Sequence, residues 1–464
     1  MRIYNTLTSK KDDLKIPPSG EINLFVCGPT VYDYSHIGHA RTYIFFDALV
    51  KFMRKYLSIK INYLQNITNI DDKIINRSAE ENKNPQELAD FFEKEYITDM
   101  SSLGVSAVNT YAPATKYIPE IISQVERLIK KGFAYVSGPS TTLGTSSVYF
   151  NVRKFPEYGK LSHQKLADLK EGVRIDVEVG KKFFADFVLW KVAKPNEPTW
   201  DSPWGKGRPG WHIEDTAITE KHFGLRYNIH GGGLDLIFPH HEAEIAQMEA
   251  ISGLSPLAEV WIHTGMLLVD GEKMSKSLGN FITIREFIKE NSPQILRYMV
   301  LSQHYRTGLD FSKKTVQMAS SSINRIADFK IRLKSINEQS SSFPWEDFEK
   351  TFWHELADDF NTPKALASLF ELITETNKLI DSHNLSHSDA QKIVDFIDRV
   401  NDILNILPKE ESIPAEITAL VADREKARAS KDFELSDKLR NQIKELNWEV
   451  EDTPRGPKIS KIKN

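Results

Sequence analysis

Two short stretches carry side chains suited to phosphate chemistry. His36-Ile37-Gly38-His39 follows an apolar run at residues 21–27 (EINLFVC) and opens an amphipathic one. A helix starting there would present free N–H groups and the positive end of its dipole, a natural seat for phosphate. The two imidazoles can donate hydrogen bonds to phosphoryl oxygens, and Gly38 lets a flat base approach the backbone. Much later, Lys273-Met274-Ser275-Lys276-Ser277 lies in the loop sequence GEKMSKSLGN. Lysines on such a loop can meet the outer phosphates of a nucleoside triphosphate and stabilise the charge that moves onto pyrophosphate. Alone, the first stretch reads as a helix start and the second as a solvated basic turn. Their order joins them, one early after a strand and one late after another. A third chemistry is metal binding. His240 and Glu244 are four apart in a helical pattern and share a face within reach of one ion. Cys27 ends the first strand, and strand ends in an open parallel sheet meet at the cleft.

The elements that must position these residues are legible in outline. The run at 21–27 reads as a buried strand. A Gly-Pro turn follows, then a helix with Ala40, Ile44, Phe45, Ala48, Leu49, Phe52 and Met53 on one stripe, then a strand at 61–68. Strand, helix and strand at this spacing imply a parallel βαβ unit. Helical segments run to about 131, and 137–147 (SGPSTTLGTSS) is a polar loop. Residues 148–194 are β-rich, and 200–212 form an aromatic Gly/Pro loop. Strand, loop and helix return in YNIH, GGGLDLIFP and HHEAEIAQMEA, and 260–269 is a strand candidate. From about 284 to 407 helical periodicity dominates, broken at 337–344. A linker at 409–416 precedes a charged tail.

Bulk properties narrow the class. A chain of 464 residues exceeds one ordinary core and implies two to four domains. The net charge of −4 argues against non-specific nucleic-acid coating, although a local basic face can still hold RNA. One cysteine permits no internal disulfide and fits a reducing compartment. No apolar run has the character of a signal peptide or the length of a membrane span, so a soluble, cytoplasmic protein is expected.

The surroundings are more specific. FVCGPTVYDYSHIGHART, NITNIDDKI, RPGWHIE, HGGGLDLIFPHHEAEIAQ and MSKSLGNF resemble the cysteinyl-tRNA synthetases, class I aminoacyl-tRNA synthetases marked by HIGH and KMSKS motifs. The resemblance runs through nearly the whole chain. It implies an α/β Rossmann-type catalytic domain with a parallel sheet over 1–312. An insertion at about 110–200 and a stem-contact region at about 265–312 would belong to it. An α-helical bundle over 313–408 and a small anticodon-binding domain over 409–464 would follow. It further implies a monomer that joins L-cysteine to tRNA(Cys) with ATP and Mg²⁺ through a cysteinyl-adenylate. Carried over by motif, Pro29, Thr30, His36, Gly38, His39, Gly231, Gly232, Lys273 and Lys276 would meet ATP. Of these, His36, His39, Lys273 and Lys276 are the catalytic set. Cys27, Thr68, Trp211, His230 and Asp235 would surround cysteine. In the tail, Arg424 and Arg428 would meet phosphate or base edges, Phe433 would stack, and Asp437 and Asp452 would accept hydrogen bonds from bases.

One position departs from the family pattern. Family members hold zinc through two cysteines, a histidine and a glutamate. Cys27, His240 and Glu244 fill three of those places, and the fourth falls on Asp215. The family's zinc takes the substrate thiolate directly and so rejects serine, whose hydroxyl is a poorer ligand. A carboxylate preserves the formal charge but hardens the site. Three readings stand: a Cys/Asp/His/Glu zinc site, another divalent metal, or no metal with Asp215 a mere neighbour. Two other functions match parts of the pattern. A cysteine ligase with an amino-sugar acceptor would lack the anticodon domain, and a non-catalytic tRNA-binding protein would be expected to lose HIGH or KMSKS.

Overall fold

The computed structural model describes residues 1–137, 146–168, 180–192, 194–195, 197–274, 278–337, 343–408, 414–453 and 456–462. The site is built on strands β1 (Glu21–Val26), β2 (Lys60–Ile67), β3 (Thr110–Pro113), β4 (Tyr227–Gly233) and β5 (Ala258–Thr264). With them go helices α1 (Ile37–Lys55), α2 (Trp211–Phe223) and α3 (Glu242–Ser252). Among the described residues the strands form one sheet in the order β5-β4-β1-β2-β3, and every neighbouring pair is parallel. Continuous apolar strands such as β1 suit a sheet covered on both faces. Helix α1 is buried nearly all round, from Ile37 through Met53, as an internal helix must be.

The chain order reverses between β1 and β4. In an open α/β sheet the ligand cleft lies beyond the carboxyl ends of the strands at such a switch point. Cys27 follows β1 there, and Gly231 to Gly233 end β4 beside it. The β1–β2 pairing carries on past both strands, since the Thr68 amide donates to Pro29 and the Val31 amide to Thr68.

An antiparallel sheet interrupts this scheme. Its strands are Ala134–Val136, Val148–Phe150, Phe187–Val192 and Gly207–Pro209. Thr110–Pro113, expected inside the insertion, instead pairs with β2 in the parallel sheet. The insertion sheet therefore starts later than about 110 and runs past 200. Its last strand hands over at Gly210 to α2. A side chain at Gly210 would lie 2.1 Å from the Val188 carbonyl, so only glycine permits the turn. Lys191 and Arg208 of this sheet both bind Asp72, which starts helix Asp72–Glu80 after β2.

The strand expected at 260–269 divides at Gly265. β5 ends at Thr264, and Leu267–Val269 pairs with Leu309–Phe311 and Glu272–Lys273 in a small sheet of its own. Helices Lys313–Lys334, Glu346–Ala357, Thr362–Asp381 and His387–Leu404 follow. The region expected as a separate bundle shares its core with α1, because one apolar cluster runs from Ile3 to Leu407. Residues 1–407 accordingly form one compact unit and 408–464 a second. The second unit holds helices Ala415–Ala429 and Phe433–Glu445 and the antiparallel strands Trp448–Thr453 and Gly456–Lys461. Its core includes Ile417, Val421, Ile443, Trp448 and Val450. Among the described residues no helix is long and apolar enough to cross a membrane.

Buried Arg297 ties α1 to the last helix of the first unit. Its guanidinium donates to Asp47 at 2.9 Å, to the Leu404 carbonyl at 2.8 Å and to the Leu103 carbonyl at 3.1 Å. Breaking a buried pair by removing one partner costs about 3–5 kcal/mol. Arg297→Ala is therefore expected to lower unfolding stability by about 3 kcal/mol, at the lower end because Lys51 also contacts Asp47. A denaturant midpoint equal to wild type would contradict this.

Candidate functional site

At the carboxyl end of β1 the Cys27 thiol is buried against two carboxylates. Its Sγ lies 3.4 Å from Asp215 Oδ2 and 3.9 Å from Glu244 Oε1. His240 Nε2 lies 3.0 Å from the same Asp215 oxygen and 3.2 Å from Glu244 Oε1. Asp215 comes from the second turn of α2 and Glu244 from the first turn of α3. His240 sits in the wide turn Ile237–His241 that feeds α3. The spacing of four thus brings His240 and Glu244 together, though the turn between them is wider than an α-helix.

Bonds of about 2.0–2.3 Å to a tetrahedral ion place neighbouring donors about 3.3–3.8 Å apart. The four contacts span 3.0–3.9 Å, and the donor atoms all lie within 4.8 Å of one another. The electrostatics also favour a cation. Burial pushes the Cys27 thiol well above its ordinary range, and the charges of Glu244 and Asp215 push it further. Burial and then Asp215 raise Glu244 in the same way. Among the described residues Glu244 Oε2 has no hydrogen-bond partner, its nearest imidazole nitrogen being His230 Nδ1 at 3.8 Å. Buried charge without compensation is costly, and a divalent ion would offset it. These residues fit a metal ion.

Two further imidazoles face the thiol. His241 Nε2 is 3.2 Å and His230 Nε2 3.5 Å from Cys27 Sγ. Their outer nitrogens are occupied: His230 Nδ1 lies 2.7 Å from the Tyr227 hydroxyl, and His241 Nδ1 lies 2.8 Å from His263 Nε2. His240 Nδ1 is likewise 2.8 Å from His212 Nδ1. Burial pulls His212, His230 and His241 well below the usual histidine range, which keeps them neutral, and takes His263 down to about 3. Trp211 stacks on the His240 ring, centroids 4.1 Å apart, while staying 38% exposed, so one face remains open to a ligand. Thr68 donates to Glu214, the residue before Asp215. Asp235 does not join the cluster; it is exposed in the turn Leu234–Leu236, where the chain leaves β4 for solvent.

The HIGH segment caps α1. His36 Nδ1 accepts from the amides of Gly38 (3.1 Å) and His39 (3.3 Å), and His39 Nδ1 accepts from the His36 amide at 3.4 Å. This reciprocal box fixes both rings, which stack 3.8 Å apart. Gly38 is required because a Cβ there would lie 2.8 Å from the His36 ring. The chain after KMSKS docks on the same segment: the Ile37 amide donates to Ile282 and the Ile284 amide to Ser35. The Met274 methyl lies 3.4 Å from the place a Gly38 side chain would take. Lys273 is exposed at the end of its short strand, and Lys276 falls outside the described residues. Gly231 and Gly232 answer to packing: their side chains would meet Phe46 of α1 at 2.2 Å and His241 at 2.9 Å.

Residues 14–321 match the family model described as "tRNA synthetases class I (C) catalytic domain", and residues 351–408 match the DALR domain. A cysteine--tRNA ligase of Thermoplasma acidophilum is 48% identical over 454 residues, 97% of this chain and 98% of that protein. One of Thermococcus gammatolerans is 42% identical over 485 residues, covering 100% and 99%. The chain belongs to the cysteine--tRNA ligase family. The methionyl-tRNA synthetase of Mycobacterium tuberculosis in complex with methionyl-adenylate superposes with a TM-score of 0.61 at 14% identity, over 83% of this chain and 90% of that one. At that identity the likeness speaks for the class I fold alone.

In this member of the cysteine--tRNA ligase family, several contacts were invisible to motif reading. His241 touches the thiol, Asn66 grips Asp215, and His212 and His263 back the inner histidines. The double histidine at 240–241 and the asparagine in NITNIDD were the available signals. In the second unit Arg424 and Asp452 are paired with each other. Arg424 is 2% exposed and binds Asp452 through two hydrogen bonds of 2.8 Å, while Asp452 itself is exposed. Arg428 also pairs with Asp452. Phe433, 65% exposed, and Asp437 remain open to solvent.

An ion that binds only the folded state at about 100 times its dissociation constant adds about 2.7 kcal/mol. Zinc added to chelator-stripped protein is expected to raise the melting temperature of wild type but not of Glu244→Gln, which loses an anionic donor. Equal shifts in both would contradict a metal role for this cluster.

Proposed function

We propose that this chain activates L-cysteine with ATP and Mg²⁺ and transfers it to tRNA(Cys), and that Cys27, Asp215, His240 and Glu244 hold one zinc ion for that purpose. The observation that carries this reading is the convergence of the buried thiol with Asp215, His240 and Glu244 at a switch point, in a chain matched over 97–100% of its length by cysteine--tRNA ligases. A bound zinc ion would supply affinity for a thiolate, which serine's hydroxyl matches poorly.

The chain's own residues do the rest. His36 and His39, fixed by the capping box, and Lys273 and Lys276 of the loop would meet the phosphates and stabilise charge passing to pyrophosphate. Pro29, Thr30, Gly38 and the Gly231-Gly232 backbone would line the nucleotide. Trp211, Thr68 and His230 would wall the amino acid, with Asp235 at the solvent edge. Attack of the substrate carboxylate on the α-phosphate needs alignment and charge stabilisation rather than a dedicated base. In the second unit Arg424, Arg428, Phe433, Asp437 and Asp452 are the candidates for anticodon contact, Arg424 and Asp452 being also paired with each other. A monomer acting in the cytoplasm fits this role. The amino-sugar alternative is disfavoured by relatives that extend through the tail. A silent tRNA-binding protein is disfavoured by intact HIGH and KMSKS sequences.

Pyrophosphate exchange is expected to depend on L-cysteine and to ignore serine, and purified tRNA(Cys) is expected to be charged. Lys276→Ala should slow exchange by about 10²–10³-fold while leaving tRNA binding nearly unchanged. Exchange without cysteine, or an unaltered rate in the variant, would overturn the assignment.

A further inference from the structure

Asp215 has two oxygens, and they face different ways. Oδ2 looks into the pocket, 3.4 Å from Cys27 Sγ and 3.0 Å from His240 Nε2. Oδ1 looks away and accepts a 2.5 Å hydrogen bond from Asn66 Nδ2. Asn66 sits near the end of β2 and is 1% exposed. Its orientation is not free, because its own Oδ1 accepts from the Gly28 amide at 2.5 Å. A flipped amide would turn its NH₂ toward that N–H and its oxygen toward the carboxylate. Gly28 is itself pinned, since any side chain there would strike the Asn66 carbonyl at 1.7 Å. The turn after Cys27 therefore fixes Asn66, and Asn66 fixes Asp215.

A thiolate offers one donor atom, whereas a carboxylate can offer two and so enlarge the coordination shell of zinc. We infer that Asn66 is a positioning residue: it occupies the outer oxygen of Asp215 and makes this carboxylate a one-oxygen ligand in the place of a thiolate. Partners that orient a metal ligand in this way commonly hold about 10–100-fold of metal affinity. The role presupposes the ion of the proposed function, and it explains how the pocket tolerates aspartate without changing shape. His212 stands behind His240 in a similar relation, but two unassigned imidazole nitrogens face each other there, and the contact is less informative.

The test is a double-mutant cycle on the full chain, with zinc affinity read by chelator competition and cobalt(II) absorption as the spectroscopic signature. Asn66→Ala should weaken zinc by about 10–100-fold and shift the cobalt bands from an intense four-coordinate pattern toward a weaker five-coordinate one. In an Asp215→Cys background, where no outer oxygen exists, the same change should cost less than about 3-fold and leave the bands in place. Asn66→Ser keeps a small polar side chain but is too short to reach Asp215. It carries the same expectations if the alanine variant fails to fold. Equal losses in both backgrounds, or no loss and unchanged bands in the native one, would overturn the role of Asn66. Wild type that binds no zinc would overturn the metal reading itself, a different failure.

Discussion

The structure turns on crowding a thiol and two carboxylates into one water-excluded space. Cys27, Asp215 and Glu244 are each buried, and their side-chain partners among the described residues are Asn66, histidines and each other. In a low-dielectric interior such a cluster is unfavourable unless protons or a cation neutralise it. The upward push on Cys27 and Glu244 is the trace of that frustration. Natural sequences keep such conflicts mainly where function requires them. His230 and His241, which face the thiol, stay neutral through burial, so they add lone pairs to the pocket rather than compensating charge.

The rest of the catalytic unit follows from holding these groups in register. Each comes from a different element: β1, the wide turn before α3, α3 itself and α2. The switch in strand order brings β1 and β4 side by side, and the insertion sheet delivers α2 through Gly210. The same strand end feeds the capped start of α1, so the thiol–carboxylate cluster and the HIGH segment share one turn, residues 28–36. The backbone contacts between Ser35–Ile37 and Ile282–Ile284 bind the segment after the second motif to that turn.

Local pattern made some of this legible in advance. The β1–α1–β2 unit and the helix start at His36 follow from apolar periodicity and a capping sequence, both short-range properties. The His240–Glu244 pair needed only a spacing of four. Long-range contacts were opaque. The NITNIDD and double-histidine sequences flag Asn66 and His241, but nothing local says that one reaches Asp215 and the other a thiol more than 200 residues away. Several motif-matched residues also have a place in the fold itself. Arg424 and Asp452 neutralise each other, Gly231 makes room for Phe46, and Asp235 follows the chain out to solvent. The strand Thr110–Pro113 was opaque because it is too short to show periodicity and is defined by its pairing with β2.

The most direct test of the central claim is the absorption spectrum of cobalt-substituted protein titrated with amino acids. If an ion held partly by Cys27 selects its substrate by sulfur affinity, a sulfur-to-cobalt charge-transfer band is present in the free protein. That band grows on adding L-cysteine and does not change with L-serine. A spectrum that lacks the band, or that responds alike to both amino acids, would contradict the account.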